Sequence, residues 1–318
     1  MSDSQVRAYS EFIALEDAPT FHHPHHLSLL TPDWHPLLYH SKSGQLQAVW
    51  PVTYARKWGI RIIRKPPLTP WLGPLIRYPE GATKAQRRQL QRRVLTHFAR
   101  ELPRVPYFAQ SLHPGIGDWS PLYQAGYRQT TRYTYRLGLQ PPPVKLWEGF
   151  KSELRNRLRK GEQELQIENG SNAGPMYADW SATLSRQGMA APASQMQLQQ
   201  LADWHREADT GLLLSAVSRA GGALRGHLML VWDAHIAYAL IICSAGGQAS
   251  DSYTIPTLLW HGVQEAQRRG LSVFDFEGSM IPGVARLFAT FGAEPVPYHF
   301  IYKYGNRLWQ FADILRKS

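Results

Sequence analysis

One segment of this chain occurs twice. Phe108-Ala-Gln-Ser-Leu-His-Pro-Gly-Ile116 is matched 168 positions later by Phe276-Glu-Gly-Ser-Met-Ile-Pro-Gly-Val284. A pattern F-x-x-S-x-x-P-G-[IV] can recur by chance, so the flanks decide whether it marks a duplicated unit. The flanks agree. A helix signal precedes the first copy over Lys84–Leu102, with Leu90, Val94, Phe98 and Leu102 four apart, and another precedes the second over Pro256–Arg269, with Leu259, Val263 and Ala266 on one face. Each copy is followed by a short apolar stretch closed by a glycine, Gly126 or Gly292, and then by a strand-like run, Thr130–Leu137 or Val296–Lys303. Gly44-Gln-Leu46 and Gly222-Ala-Leu224 each open a strand upstream. Each half therefore reads strand, strand, helix, strand, short helix, strand. That order predicts an α/β fold of two lobes, with antiparallel hairpins first and a helical crossover joining the later strands. Pro141, Pro142 and Pro143 stand between the halves, where they stiffen the backbone and stop a sheet. The expected division is a lobe over 1–139, a linker over 140–146 and a lobe over 147–318.

The second half is the more legible. A stripe of Phe150, Leu154 and Leu158 predicts a helix, and a first strand is expected at Gln163–Glu168. Helices are expected at Tyr177–Gln187 and Gln195–Glu207. Strands are expected at Gly211–Ser218, Leu224–Trp232, Ile236–Cys243 and Leu271–Phe276. The order is β-α-α-β-β-β-α-β-α-β.

This order, met twice, resembles the GNAT N-acetyltransferase superfamily in duplicated form, and within it the FemAB-like proteins, which include Fem-type aminoacyl transferases. Three stretches carry the likeness: Pro66-Pro-Leu-Thr-Pro-Trp-Leu-Gly-Pro74, the basic Arg155-Asn-Arg-Leu-Arg-Lys-Gly161, and Leu258-Leu-Trp260 through Phe274-Asp-Phe-Glu-Gly-Ser279. The resemblance implies two tandem GNAT-like mixed-sheet lobes. It also implies transfer of an acyl or aminoacyl group from acyl-CoA or aminoacyl-tRNA to an amine. The loop before the main helix reads Ser244-Ala-Gly-Gly-Gln-Ala-Ser-Asp-Ser-Tyr253, with two glycines but without the Arg/Gln-x-x-Gly-x-Gly/Ala pattern of acetyl-CoA enzymes. The region Tyr177–Glu207 is too short for the long helical arm of tRNA-using Fem enzymes.

Acyl transfer to an amine needs a base, stabilisation of the carbonyl oxygen and close approach of the reactants, and no protein nucleophile. Glu277 is the leading base, because it follows a strand at the end where crossover sheets place ligands. Strand alternation puts Asp275 and Glu277 on one face and Phe274 and Phe276 on the other. Substrate binding is the other functional reading of Glu277, and a salt bridge or a helix cap is the structural alternative. Where the second copy has Glu277-Gly278, the first has Ala109-Gln110, with no ionisable group. That asymmetry places the chemistry in the second lobe. Tyr298 and Lys303 are further catalytic candidates, as proton donor and as stabiliser of negative charge. Arg155 and Arg159, four apart, can clamp a phosphate. Gly246, Gly247 and Tyr253 are candidates to hold a donor, Tyr253 also to protonate the leaving group, and Ser279 to bind substrate or cap a helix.

The net charge is +11 and the sequence pI about 9.8. An anionic partner is the reading: a carrier-linked substrate such as tRNA, a phosphate-bearing ligand or a membrane surface touched peripherally. Solubility alone is the other account. The single cysteine, Cys243, lies in an apolar run and reads as a small buried hydrophobe. The cluster His22-His-Pro-His-His26 lacks the partners of a metal site, so no metal is expected. No leader or membrane-spanning run is legible, which predicts a soluble, cytoplasmic chain. A non-catalytic module on the same scaffold and a nucleic-acid binder driven by charge stand as rival readings.

Overall fold

In the computed structural model, residues 3–15, 17–247, 251–278, 280–306 and 309–310 are described. The chain divides into two compact units, Met1–Arg132 with Pro297–Ser318, and Tyr133–Val296. The proline segment 140–143 lies within the second stretch and leads directly into a helix.

The first unit opens with helices α1 (Asp3–Leu15) and α2 (Pro24–Leu30). Strands β1 (Trp34–His40), β2 (Leu46–Lys57), β3 (Ile60–Arg64) and β4 (Leu75–Ile76) follow, then helix α3 (Lys84–Glu101), strand β5 (Tyr107–Ser111) and helix α4 (Ser120–Gln124). β1, β2 and β3 form antiparallel neighbours, and β3 pairs with β5 in parallel at Ile63↔Phe108 and Arg64↔Ala109. The crossover from β3 to β5 runs through α3. That helix starts sharply because Thr83 and Gln86 form a reciprocal capping box. Its arginines face outward while Leu90, Val94, Leu95 and Phe98 pack on Trp50, Phe108 and Ile301. A second apolar cluster gathers Tyr9, Phe12, Leu27 and Trp34.

Strand β6 (Arg128–Gly138) enters the second unit at Tyr133. There follow helices α5 (Pro143–Gly149) and α6 (Ser152–Glu164), strand β7 (Leu165–Gly170) and helices α7 (Gly174–Arg186) and α8 (Gln195–Glu207). Next come strands β8 (Gly211–Ser218), β9 (Leu224–Trp232) and β10 (Ile236–Ser244), helix α9 (Thr254–Arg268), strand β11 (Val273–Asp275) and helix α10 (Pro282–Thr290). The last strand, β12 (Glu294–Tyr304), counts with the first unit from Pro297 onward and pairs there with β5. In the second unit β7, β8, β9 and β10 form an antiparallel meander. β10 then pairs in parallel with β11, and β11 runs antiparallel to residues 136–138 of β6.

α9 buries Leu258, Leu259, Val263 and Ala266 against this sheet. Gly262 allows the approach: a Cβ there would lie 2.9 Å from the Leu228 side chain and 3.2 Å from the Phe274 ring. Several element ends differ from the sequence expectation. α9 begins two residues early, where Asp251 accepts from the Thr254 amide, α6 runs through Glu164 so that β7 starts at Leu165, α7 starts at Gly174, and β11 spans only Val273–Asp275.

Candidate active site

β10 and β11 stay together for only three residue pairs, ending at Tyr238↔Asp275. Beyond that point β10 continues to Ser244 with β9 alone, and the chain after β11 turns toward β6, where the Phe276 amide donates to the Tyr135 carbonyl at 2.9 Å. Two parallel strands thus part at their C-terminal ends. β10 carries a bulge in the same stretch, between Ala239 and Ile241, which re-aims the backbone at Leu240. Such a mouth, where two parallel strands part, is where an α/β sheet can receive a ligand.

Asp275 sets the shape of the mouth. Its carboxylate is fully buried and accepts from Thr134 Oγ1 at 2.5 Å, Arg136 Nε at 2.7 Å and the Glu277 amide at 2.8 Å. Burial raises its pKa, while Arg136 and the hydrogen bonds pull it back down. The bond to the amide two residues on makes an Asx turn, and Glu277 sits in the left-handed region at φ 62°. The alternation expected from the sequence therefore stops at Phe276. Asp275 is a buried structural anion, and Glu277 leaves the strand as a half-buried side chain at the mouth. The first copy differs at the aligned positions: β5 stays in register with β12 through Ala109, Gln110 and Ser111, and Gln110 accepts from the Trp50 indole at 2.8 Å.

The loop after β10 docks on α7. Asp179 accepts from the Gly246 amide at 2.8 Å, Thr183 Oγ1 donates to the Gly247 carbonyl at 3.2 Å, and Arg186 donates to the Gly246 carbonyl. Gly247, at φ 74°, packs so closely that a Cβ would meet Ala182 at 2.8 Å. Asp179 also meets His227 Nε2 at 3.2 Å, and His227 Nδ1 lies 3.0 Å from Ser215 Oγ. Burial lowers the His227 pKa against the pull of Asp179. This chain of Ser215, His227 and Asp179 ties the loop to the sheet. Sequence reasoning missed it, because its members are scattered over β8, β9 and α7. At the far end of the loop, Asp251 accepts from the amides of Tyr253 and Thr254 at 2.9 and 2.7 Å and from Thr254 Oγ1 at 2.8 Å. Tyr253 stands at the N-terminus of α9, with the Lys160 ammonium 5.2 Å from its ring. Burial, Asp251 and Glu164 raise its pKa.

The other candidates have these surroundings. Arg155 donates to the carbonyls of Glu148 and Phe150 at the end of α5, and Arg159 donates to Asn156 and lies 5.9 Å from the Trp147 ring. Tyr298 and Lys303 belong to the first unit. Tyr298 packs edge-on to Trp71, while Lys303 donates to the Ala125 carbonyl at 2.7 Å and lies over Tyr127. Lys303 also lines a cavity of about 710 Å³ with Arg100 and Arg104. Ser279 lies outside the described residues. Cys243 is buried, and its thiol is pushed up to about 12 by burial. The histidine cluster is built into the first unit. His22 Nε2 meets the Gly73 carbonyl at 3.1 Å, His26 Nε2 meets Thr69 Oγ1 at 3.0 Å, and His23 caps α2. Among the described residues no helix is long and apolar enough to cross a membrane.

No family model and no curated sequence matches the chain. Solved structures do. That of FemX superposes with a TM-score of 0.58 over 84% of this chain and 87% of that one, at 10% identity. L-PGS from Bacillus licheniformis superposes with a TM-score of 0.53 over 99% and 95%, at 12% identity. A conserved protein of unknown function from Bacteroides thetaiotaomicron VPI-5482 gives 0.52 over 87% and 88%, at 10% identity. The fold is GNAT/Fem-like. At these identities the likeness is one of architecture, and it covers both units.

A GNAT/Fem-like fold raises the question of acyl-CoA, whose pyrophosphate needs free amides at a loop and helix start. The described part of the loop does not fit. The Gly246 amide is given to Asp179, those of Tyr253 and Thr254 to Asp251, and Pro256 has none. Among the described residues, Asp179 and Asp251 take these three amides.

Proposed function

We propose that the second unit transfers an acyl or aminoacyl group from an activated donor to an amine. The parting of β10 and β11, with Glu277 at its mouth, is the observation that carries this reading. The amine loses its proton to Glu277 as its nitrogen attacks the donor carbonyl. Backbone amides near the Leu240 bulge are suited to the oxygen that gains charge. The tetrahedral adduct then expels the leaving alcohol or thiol, which takes a proton from Tyr253, a phenol that its surroundings keep protonated at neutral pH. The proton taken by Glu277 returns to the phenolate, and an amide and the free carrier remain. Asp275 positions Glu277 by fixing its amide.

The donor class follows from the loop. Its carboxylates disfavour CoA in the usual posture, and the short α7–α8 region lacks the long arm of tRNA-using Fem enzymes, so a carrier-linked ester with a compact carrier is the donor this reading favours. The net charge of +11 suits such a carrier. Arg155, Arg159, Tyr298 and Lys303 are secondary in this reading, since each already has a partner within its own unit. The test is a panel of acyl-CoA and aminoacyl-tRNA pools against several amines, read by mass spectrometry. Amide product from an ester donor supports the proposal, and absence of both turnover and donor binding sinks it. The carboxylate-filled loop also favours a second reading, a binding module that has kept the fold without the chemistry. That module would bind ligand equally well with Gln at position 277.

A further inference from the structure

The β2–β3 hairpin of the first unit turns through Trp58 and Gly59, at φ 53° and 75°, with Lys57 opposite Ile60. A two-residue turn of this hand matches strand twist, but its first position favours Asn, Asp or Gly. A bulky aromatic residue in the left-handed region is strained, and an outlier of that kind is a pointer to function. The strain is not repaid by burial. Trp58 is 68% exposed and Ile60 43%, so two large apolar side chains project from one tip. The indole is nonetheless held in place, its centroid 5.4 Å from that of Trp309 and 4.4 Å from the Lys57 ammonium. Arg56, Arg61 and Arg64 are exposed on the two strands behind it, and Asp33 pairs with Arg61.

We propose that this tip docks the protein on an anionic lipid surface. Trp58 and Ile60 enter the interfacial layer of the bilayer, and Arg56, Lys57 and Arg64 meet the lipid phosphates. An amphipathic indole at a tip, with cations one residue behind, suits the boundary between headgroups and hydrocarbon. An anionic leaflet attracts such a basic collar through the last Debye length. A polynucleotide would also answer to the charge, but an aliphatic Ile60 gives no surface for base stacking, whereas hydrocarbon accepts it. The proposal is independent of the chemistry assigned to the second unit.

Flotation of the full chain with phosphatidylcholine vesicles, with and without phosphatidylglycerol, tests it. Binding is expected only when phosphatidylglycerol is present, and it should weaken as salt rises. Trp58→Asn installs the Asn-Gly pair that the turn prefers, so its melting temperature should hold or rise while vesicle affinity falls by about tenfold. Ile60→Ser should lower the affinity on its own, which covers a misfolded Trp58 variant. Three results overturn the proposal: no preference for phosphatidylglycerol, wild-type affinity in both variants, or loss of binding to single-stranded RNA with vesicle affinity unchanged.

Discussion

Asp275 and Glu277 are two residues apart and do different work. Asp275 has three donors and no exposure, so its charge is held in place; Glu277 takes its backbone direction from that charge. Removing the cation exposes the cost of the arrangement. Arg136→Leu leaves a buried carboxylate without its partner and should lower unfolding stability by ~3–5 kcal/mol, read from urea melts. His22 makes a second prediction. Burial lowers its pKa from 6.5 to about 3 in the folded chain. The unfolded chain binds the proton first, so the stability is full above pH 6.5 and is lost as pH falls toward 3. The melting temperature should drop between pH 7 and 5, and His22→Gln should flatten that drop. Strand alternation made Asp275 and Glu277 legible as a pair, but it put both on one face. The left-handed turn at Glu277 is set by a side-chain hydrogen bond, and hydropathy carries no trace of that.

At the scale of elements, the long amphipathic segments were the legible ones. α8 runs from Gln195 to Glu207 as the periodicity requires, and α3 keeps the apolar stripe read from its spacing. Ends decided by single polar contacts were not, and α9 shows why. Asp251 lies three residues ahead of its first residue and binds two amides, so the helix begins before the proline that marked it in the sequence. The same contacts decide what the loop can bind. Asp251→Ala should cost ~0.5–2 kcal/mol of stability, as loss of a helix cap does. Titration calorimetry on the wild type should show no saturable binding of CoA, while Asp251→Asn should gain affinity for it. Tight wild-type binding that Asp251→Asn weakens would contradict the account of this loop.

For the whole molecule, the repeat foretold two related α/β units, and a GNAT/Fem-like fold is what the chain has. What the repeat did not reveal is that the last strand counts with the first unit from Pro297 onward. Sequence order assigns a strand to the half that encodes it, whereas hydrogen bonding assigns it to the strand it pairs with. A chain ended at residue 293 would leave β5 without the partner it has in β12. Such a truncation should aggregate or lose amide protection over β5 in hydrogen exchange, with β8–β10 less affected. The duplication also explains where to look for chemistry. The two copies share a frame, and they diverge where β5 stays in its sheet and the second copy turns out at Glu277. The most direct test of that claim is Glu277→Gln in a donor–amine transfer assay, with ligand affinity measured alongside. The rate should fall about 10²–10⁴-fold at unchanged affinity. A variant that turns over like the wild type would contradict that claim.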